Sequence, residues 1–265
     1  MQKITGQKDP IIKLLKELTA EDGRRRNSRF FAEGEELVRR AFDYGGKVDS
    51  VIFTDKFAAS PAAQVLLERA AGAGVDVFIS TEGLLAKMLE AKPTPECLAI
   101  VERRVASLQD AISGITPLVQ MVESCENADN LGMLLRSTDA SGVTGVVLTA
   151  DTTDPFSRRV VRGSRGAVFT VPICPFRDSG KAIEEAHAAG LQVIATSARS
   201  DTYYTQIDFT KPTMIIVGNE HTGISDTVRN QADSVVRIPM LGKINSLNIA
   251  VAASVIMYEA VRQRS

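Results

Sequence analysis

From residue 117 to the C-terminus, short and almost uninterrupted apolar stretches alternate with segments of helical periodicity. The apolar stretches predict strands at 118–122, 145–148, 168–172, 191–196, 214–217 and 234–238. Between them the periodicity predicts helices at 131–141, 157–162, 181–189 and 226–231, and a largely apolar, buried helix follows residue 248. Strands without polar alternation are covered on both faces, so the pattern predicts an α/β fold with a mostly parallel sheet.

The first hundred residues form a second, smaller α/β pattern. Helices are predicted at 11–18, 31–44, 62–71 and 82–89, and strands at 48–54, 75–79 and 98–101. Residues 104–116 are mostly small or polar and predict a linker. We therefore expect two domains, residues 1–108 and residues 109–265.

The net charge of −1 and the pI near 6.2 mean that a nucleic-acid partner would have to be bound by a local basic patch. Residues 1–29 hold eight lysines or arginines against four acids, and a second basic segment covers 158–165. The candidate RNA contacts in these two segments are Arg24, Arg25, Arg26, Arg29, Arg158, Arg162 and Arg165. Each patch taken alone is also compatible with an ordinary solvated surface.

Several classes of protein are disfavoured by what the sequence lacks. Three widely spaced cysteines without a C-x-x-C pair argue against a disulfide framework or a zinc site, and two histidines argue against a histidine-built metal site. There is no apolar run of membrane-spanning length and no G-x-G-x-x-G or Walker A motif after a strand. We expect a cytoplasmic protein without a bound metal or a membrane partner.

Polar clusters follow three of the predicted strands. The first contains Asn130, expected to cap the following helix, and Arg136. In the second, Gly218 allows close backbone approach to a ligand, and Glu220 is expected to have an arginine partner. In the third, Ser246 and Asn248 precede the apolar helix, where they either cap it or meet a ligand. Ligands of parallel sheets bind beyond the carboxyl ends of the strands, so these clusters predict the functional site.

Taken in order, the clusters resemble the signature motifs of the SpoU/TrmH family of RNA 2′-O-ribose methyltransferases, which belong to the SPOUT class. The residues that match are Asn130, Gly132 and Arg136; Gly218, Glu220 and Gly223; and Ile238, Pro239, Met240, Ser246, Leu247 and Asn248. The stretch 162–167 is similar to a further family element. The pattern departs from the family at Asn245 and Ala250, where an acid and a serine are frequent.

The resemblance implies a deep trefoil knot in the catalytic domain, preceded by a small α/β RNA-binding domain of the ribosomal-protein L30e-like type. It implies S-adenosylmethionine as cofactor and a homodimer whose active site is completed at the subunit interface. The implied cofactor contacts are Thr196, Gly218, Asn219, Ile238, Met240 and Leu247. The implied catalytic residues are Arg136, Asn130, Glu220, Ser246 and Asn248.

The expected function is methyl transfer to a ribose 2′-hydroxyl, most favourably in 23S ribosomal RNA. Transfer RNA is the close alternative, and the other is a non-catalytic RNA-binding or ribosome-assembly protein with the same fold. Family precedent gives Arg136 the principal role, sometimes as a base. Because a guanidinium stays protonated, Arg136 is better suited to stabilise the developing alkoxide or to hold a phosphate. The alternative is that a special environment deprotonates it.

Overall fold

The computed structural model describes residues 1–149 and 151–265, and they divide into two compact units. The first unit contains Met1–Arg104 and Phe156–Thr170, and the second contains Val105–Pro155 and Val171–Ser265. The segment 156–170, which the sequence analysis assigned to the larger domain, thus lies with the smaller unit. A boundary between residues 108 and 109 stays a prediction.

The first unit is built on a five-stranded sheet in the order β1-β4-β3-β5-β2. Its elements up to residue 104 are β1 (Gln2–Lys3), α1 (Pro10–Leu18), α2 (Glu21–Asn27), β2 (Arg29–Glu33), α3 (Glu35–Asp43), β3 (Val48–Thr54), α4 (Asp55–Ala58), α5 (Pro61–Gly72), β4 (Asp76–Ser80), α6 (Glu82–Leu89) and β5 (Cys97–Glu102). Strands β1, β4 and β3 are parallel, whereas β5 is antiparallel to both of its neighbours.

The prediction of one helix over 31–44 is wrong for its first residues. Phe31 pairs with Ile100 of β5 and is buried, so this apolar segment is stabilised as an edge strand by a partner far along the chain. Gly34 then adopts φ 88°, a conformation that favours glycine, and helix α3 begins directly after it.

The remaining elements are α7 (Leu108–Ala111), β6 (Leu118–Val122), α8 (Ala128–Ala140), β7 (Gly145–Leu148), α9 (Arg158–Ser164), β8 (Ile173–Pro175), α10 (Ser179–Ala188), β9 (Gln192–Thr196), β10 (Thr213–Val217), α11 (Asp226–Gln231), β11 (Ser234–Val236) and α12 (Ile249–Arg264). The six strands of the second unit form a sheet in the order β11-β9-β10-β6-β7-β8, and every pair in it is parallel. The predicted mostly parallel α/β fold is confirmed.

The packing of segment 156–170 explains why the strand expected at 168–172 begins only at residue 173. Phe156 and Phe169 pack on Phe30 of β2, with ring centroids 5.1 Å and 6.0 Å away. Residues Ala167–Phe169 therefore form a short 3-10 helix in the first unit, and β8 pairs with β7 only from Ile173 onward.

Helix α12 packs against α8 in the second unit. Its side chains Ile256 and Met257 are buried, as the apolar sequence predicts. Yet Val251 and Tyr258 are 46% and 50% exposed, so the prediction of a buried helix is wrong for this face in a single copy of the chain. On α8, Met133 is also exposed. An apolar face on these two helices is thus without a covering element among the described residues.

Candidate active site

Four strand ends meet at one edge of the six-stranded sheet. Strand β10 lies between β6 and β9, and β11 lies on the other side of β9. Because these strands run in the same direction, the segments that follow residues 122, 196, 217 and 236 emerge at the same edge.

A chain of hydrogen bonds joins the three predicted clusters at this edge. Asn248 caps α12, because its Oδ1 accepts from the backbone N–H of Ala250 at 2.9 Å. Its Nδ2 donates to Oδ1 of Asn130 at 2.9 Å, and Nδ2 of Asn130 donates to the Glu220 carboxylate. One end of this hydrogen-bonded chain is a backbone N–H, which only donates, and the other is a carboxylate, which only accepts. The orientation of both side-chain amides follows from these two ends.

Two details of the prediction are wrong. Helix α8 is capped not by Asn130 but by Asn127, whose Oδ1 accepts from the backbone N–H of Asp129 at 2.9 Å. Asn130 is the third residue of α8, within its first turn, and is 6% exposed; its amide binds Glu220 and Asn248. The partner of Glu220 is therefore this amide and not the expected arginine.

Beside these residues lies a cavity of about 810 Å³. Its lining includes all six residues predicted to contact the cofactor: Thr196, Gly218, Asn219, Ile238, Met240 and Leu247. Glu220 and Ser246 also line it. Its volume lies within the usual range for small-molecule sites, and its lining combines apolar residues of the strand ends with polar and charged side chains.

The turn after β10 is unusually tight at Gly218. Asn219 and Gly223 exchange backbone hydrogen bonds of 3.0 Å and 2.9 Å, which folds the segment back on itself. A Cβ atom at residue 218 would lie 2.3 Å from the carbonyl carbon of Gly223. Only glycine fits this position while the turn keeps its shape.

Arg136 is not part of the hydrogen-bonded chain. It follows Asn130 by six residues on α8, a rotation of about 240° around the helix axis, so the two side chains leave on different faces. Within residues 1–149 and 151–265, its guanidinium is exposed and makes no hydrogen bond or ion pair. Ser246 is exposed as well and lies in the loop before α12.

Sequence reasoning missed three arginines that line the cavity. They are Arg199, Arg229 and Arg237. Arg237 directly follows β11 and precedes the matched Ile238, so its place at a strand end was a usable signal. The other two lie in a loop and on α11, where the sequence gives no comparable indication.

The arginines of the N-terminal patch differ in their availability. Arg24 is 5% exposed, and its Nη1 donates to the carbonyls of Leu18 and Thr19 at 2.9 Å and 3.0 Å. It therefore ties α2 to the end of α1, and its prediction as an RNA contact is withdrawn. The other three predicted contacts form ion pairs at the surface: Arg25 with Glu21, Arg26 with Glu17 and Arg29 with Asp49.

The arginines of α9 and its end also belong to the first unit. Arg158 donates to Glu33 at 2.7 Å and to the Leu89 carbonyl at 3.0 Å, and Arg165 pairs with Glu36 at 2.8 Å. Burial raises the pKa of Glu33 above its usual value, an effect that Arg158 opposes. Arg162 is exposed and, in the part of the chain that the structure describes, forms no hydrogen bond or close ion pair.

The described residues offer neither a membrane-spanning helix nor a metal-binding cluster. No helix within them combines the length and apolarity needed to cross a membrane. They also contain no group of three or more histidine, cysteine, aspartate or glutamate side chains arranged to hold a metal ion.

Comparison with known proteins extends over both units. Residues 117–258 match the SpoU rRNA Methylase family, and residues 9–110 match the MRM3-like substrate binding domain. The 23S rRNA (uridine(2479)-2′-O)-methyltransferase of Streptomyces viridochromogenes is 30% identical, over 91% of this chain and 85% of that protein. The 23S rRNA (guanosine(2553)-2′-O)-methyltransferase RlmP of Bacillus subtilis is 26% identical, over 97% of this chain and 98% of that protein.

A solved structure is similar over nearly the whole chain. The AdoMet-bound rRNA methyltransferase from Sinorhizobium meliloti has a TM-score of 0.87 and 30% identity, and the match covers 98% of this chain and 97% of that one. The motifs at Asn130, Glu220 and Asn248 lie inside the segment that matches the family. This chain belongs to the SpoU rRNA methylase family.

Proposed function

We propose that this chain transfers a methyl group from S-adenosylmethionine to a ribose 2′-hydroxyl of 23S ribosomal RNA, in the cytoplasm. The observation that carries the proposal is the hydrogen-bonded chain Asn248–Asn130–Glu220 beside the 810 Å³ cavity. The printed activities of the Streptomyces and Bacillus relatives support the reaction and the RNA class. The presence of a substrate-binding segment ahead of the methylase segment supports ribosomal over transfer RNA.

The residues that line the cavity fit the proposed cofactor. Ile238 and Leu247 provide apolar surface for an adenine ring, and Gly218 lines the same cavity. Glu220, which accepts from Asn130, and Ser246 add polar groups to the lining. The cofactor, when bound, supplies a methyl group that its positively charged sulfur makes electrophilic.

The protein residues would act mainly by positioning. The hydrogen bonds from Asn248 through Asn130 to Glu220 hold the start of α12 against α8 and the turn after β10. The cavity therefore keeps its shape when RNA binds. Arg136 has five N–H donors and no partner among the described residues, which suits it to a phosphate or to the 2′-oxygen as negative charge develops there. Ser246 is available to orient the hydroxyl.

Transfer of labelled methyl groups tests the proposal directly. Ribosomal RNA from cells without the gene should accept label from the purified protein and S-adenosylmethionine, and mapping should find one 2′-O-methyl nucleotide in 23S RNA. Label in transfer RNA alone would support the transfer-RNA alternative. Tight RNA binding with no label in any RNA would support the non-catalytic alternative.

The exposed apolar face of α8 and α12 supports the proposal of a homodimer. Met133, Val251 and Tyr258 are 45%, 46% and 50% exposed, and all three lie on two helices that pack together. Arg136 lies three residues after Met133, so a second copy that covers this face would also approach Arg136. A second copy of the chain therefore suits this face, with the active site completed at the interface.

A charge placed in the proposed interface should dissociate the dimer. Val251→Asp would bury a carboxylate against apolar surface and should weaken self-association by at least about 100-fold, as measured by sedimentation equilibrium. Val65→Asp is the matched control, because Val65 is 47% exposed on α5 of the first unit. A wild-type protein that sediments as a monomer, or two variants that dissociate equally, would contradict the proposed interface.

The RNA surface of the first unit is expected to include Arg162. Arg162→Ala should weaken RNA binding several-fold and lower the slope of log Kd against log salt by about one, because one phosphate contact is lost. Arg39→Ala removes the same charge from an arginine paired with Asp43 and should leave the slope unchanged. Filter binding at four salt concentrations measures both. Equal slopes for Arg162→Ala and wild type would remove the phosphate contact.

A further inference from the structure

The charge of the cavity lining is unexpected for the cofactor proposed above. Three arginines line the cavity against one acid, Glu220, whose carboxylate already accepts from Asn130. S-adenosylmethionine carries a positive sulfur and a positive ammonium group, both of which an excess of arginine repels. Its one negative group is the carboxylate of the methionine part. An arginine-lined cavity that binds this molecule therefore needs to receive that carboxylate.

The guanidinium of Arg237 is held in place by Tyr203 in a geometry suited to bind an anion. Its guanidinium carbon lies 4.7 Å from the centre of the Tyr203 ring, and its Nη2 donates to the Tyr203 hydroxyl at 3.1 Å. The backbones of the two residues are also paired, since Tyr204 N–H donates to the Arg237 carbonyl at 3.1 Å. Contact with the ring limits the orientations of the guanidinium plane, so little side-chain freedom remains to be lost when an anion binds.

Most of the donors of Arg237 have no acceptor among the residues that the structure describes. A guanidinium has five N–H donors, and the bond to Tyr203 uses one. Its Nε is buried and has no hydrogen-bond partner among residues 1–149 and 151–265. A buried donor without an acceptor is costly, which indicates that a group outside this chain completes the set. Arg199 and Arg229, by contrast, are exposed at the cavity wall.

We infer that Arg237, held by Tyr203, binds the α-carboxylate of the methionine part of S-adenosylmethionine. Two N–H groups of a guanidinium match the two oxygens of a carboxylate, which makes such pairs strong and directional. The inference rests on the proposed function, since it takes the cofactor as given. The inference goes beyond that function by naming Arg237 as the residue through which the protein distinguishes the complete cofactor from adenosyl compounds that lack the carboxylate.

A phosphate of the RNA is the competing anion. The partial burial of Arg237 argues against it, because a backbone phosphate is linked to two nucleosides that would have to enter the cavity with it, whereas the carboxylate is at the free end of the methionine part. The position of Arg237 argues the same way. It lies next to Ile238, one of the residues that we assign to the adenosine part of the cofactor, and both line the same cavity.

The test compares two ligands that differ only in the carboxylate. Affinities for S-adenosylmethionine and decarboxylated S-adenosylmethionine are measured by isothermal titration calorimetry on the full chain without RNA. Wild type should bind the complete cofactor about 10- to 100-fold more tightly, the value of a charge-assisted pair. Arg237→Ala should lose most of that difference by weakening the complete cofactor alone. Arg237→Lys, which keeps the charge but not the paired donors, should retain an intermediate difference.

Arg177→Ala is the matched control, because Arg177 is exposed and is not among the cavity-lining residues. It should keep the wild-type difference. Equal binding of both ligands by wild type would overturn the inference even if Arg237→Ala did not fold. Equal weakening of both ligands in Arg237→Ala would also overturn it, as would unchanged ligand affinities with weaker RNA binding. Failure of wild type to bind either ligand would instead refute the proposed cofactor, and the inference with it.

Discussion

Replacing Arg136 with alanine should lower the rate of methyl transfer about 10²- to 10³-fold, the usual cost of losing one preorganised group that stabilises developing negative charge. The affinity for S-adenosylmethionine should stay close to the wild-type value, because Arg136 is not among the residues that line the cavity. Folding should be unaffected, since the side chain is exposed and makes no hydrogen bond within the described ranges. Single-turnover transfer of labelled methyl to ribosomal RNA measures the rate.

The pH dependence of the wild-type rate separates the two roles considered for Arg136. A guanidinium that stabilises charge stays protonated, so its contribution should not change between about pH 7 and 9. A deprotonated guanidine that acts as a base would instead make the rate rise with pH over this range. Arg136→Lys keeps a positive charge and should be less impaired than Arg136→Ala. Full activity of Arg136→Ala would refute both roles.

The convergence of Asn130, Glu220 and Asn248 could be predicted from the sequence for a definite physical reason, whereas Arg136 lies outside their hydrogen-bonded chain. In a parallel sheet all strands end at one edge, so polar clusters after successive apolar strands have to meet there. Asn130, Glu220 and Asn248 are far apart in sequence, yet they are joined by hydrogen bonds. Gly218 was predicted to allow close approach of a ligand, whereas the structure gives a different requirement for glycine there, the tight turn against Gly223.

The errors concern interactions that depend on distant partners. The strand at 29–33 forms because β5 lies beside it, and a local helical pattern cannot reveal that neighbour. Arg24 looked like part of a basic surface, whereas its guanidinium is used to hold two backbone carbonyls. Asn130, which was expected to cap the helix with its side-chain oxygen, instead accepts there from Asn248, 118 residues away in sequence, while Asn127 is the cap. Composition and periodicity carry no information about such pairings.

Gly218→Ala should disable the cofactor cavity. The added Cβ would lie 2.3 Å from the Gly223 carbonyl carbon and 2.4 Å from the Ile224 nitrogen, and both are backbone atoms that no side-chain rotation can move. The turn would have to open, which breaks the hydrogen bonds between Asn219 and Gly223 and displaces Glu220. We expect a loss of about 2–3 kcal/mol in the free energy of unfolding. Urea denaturation measures it.

The same substitution should also reduce S-adenosylmethionine affinity at least about 100-fold, because the displaced turn forms part of the cavity wall. Gly83→Ala is the matched control: Gly83 lies in α6, and a Cβ there meets no atom of residues 1–149 and 151–265 within 4 Å. That variant should keep its cofactor affinity and gain up to about 1 kcal/mol of stability, since alanine favours a helix over glycine. Normal cofactor binding by a folded Gly218→Ala protein would show that this turn does not shape the cofactor site.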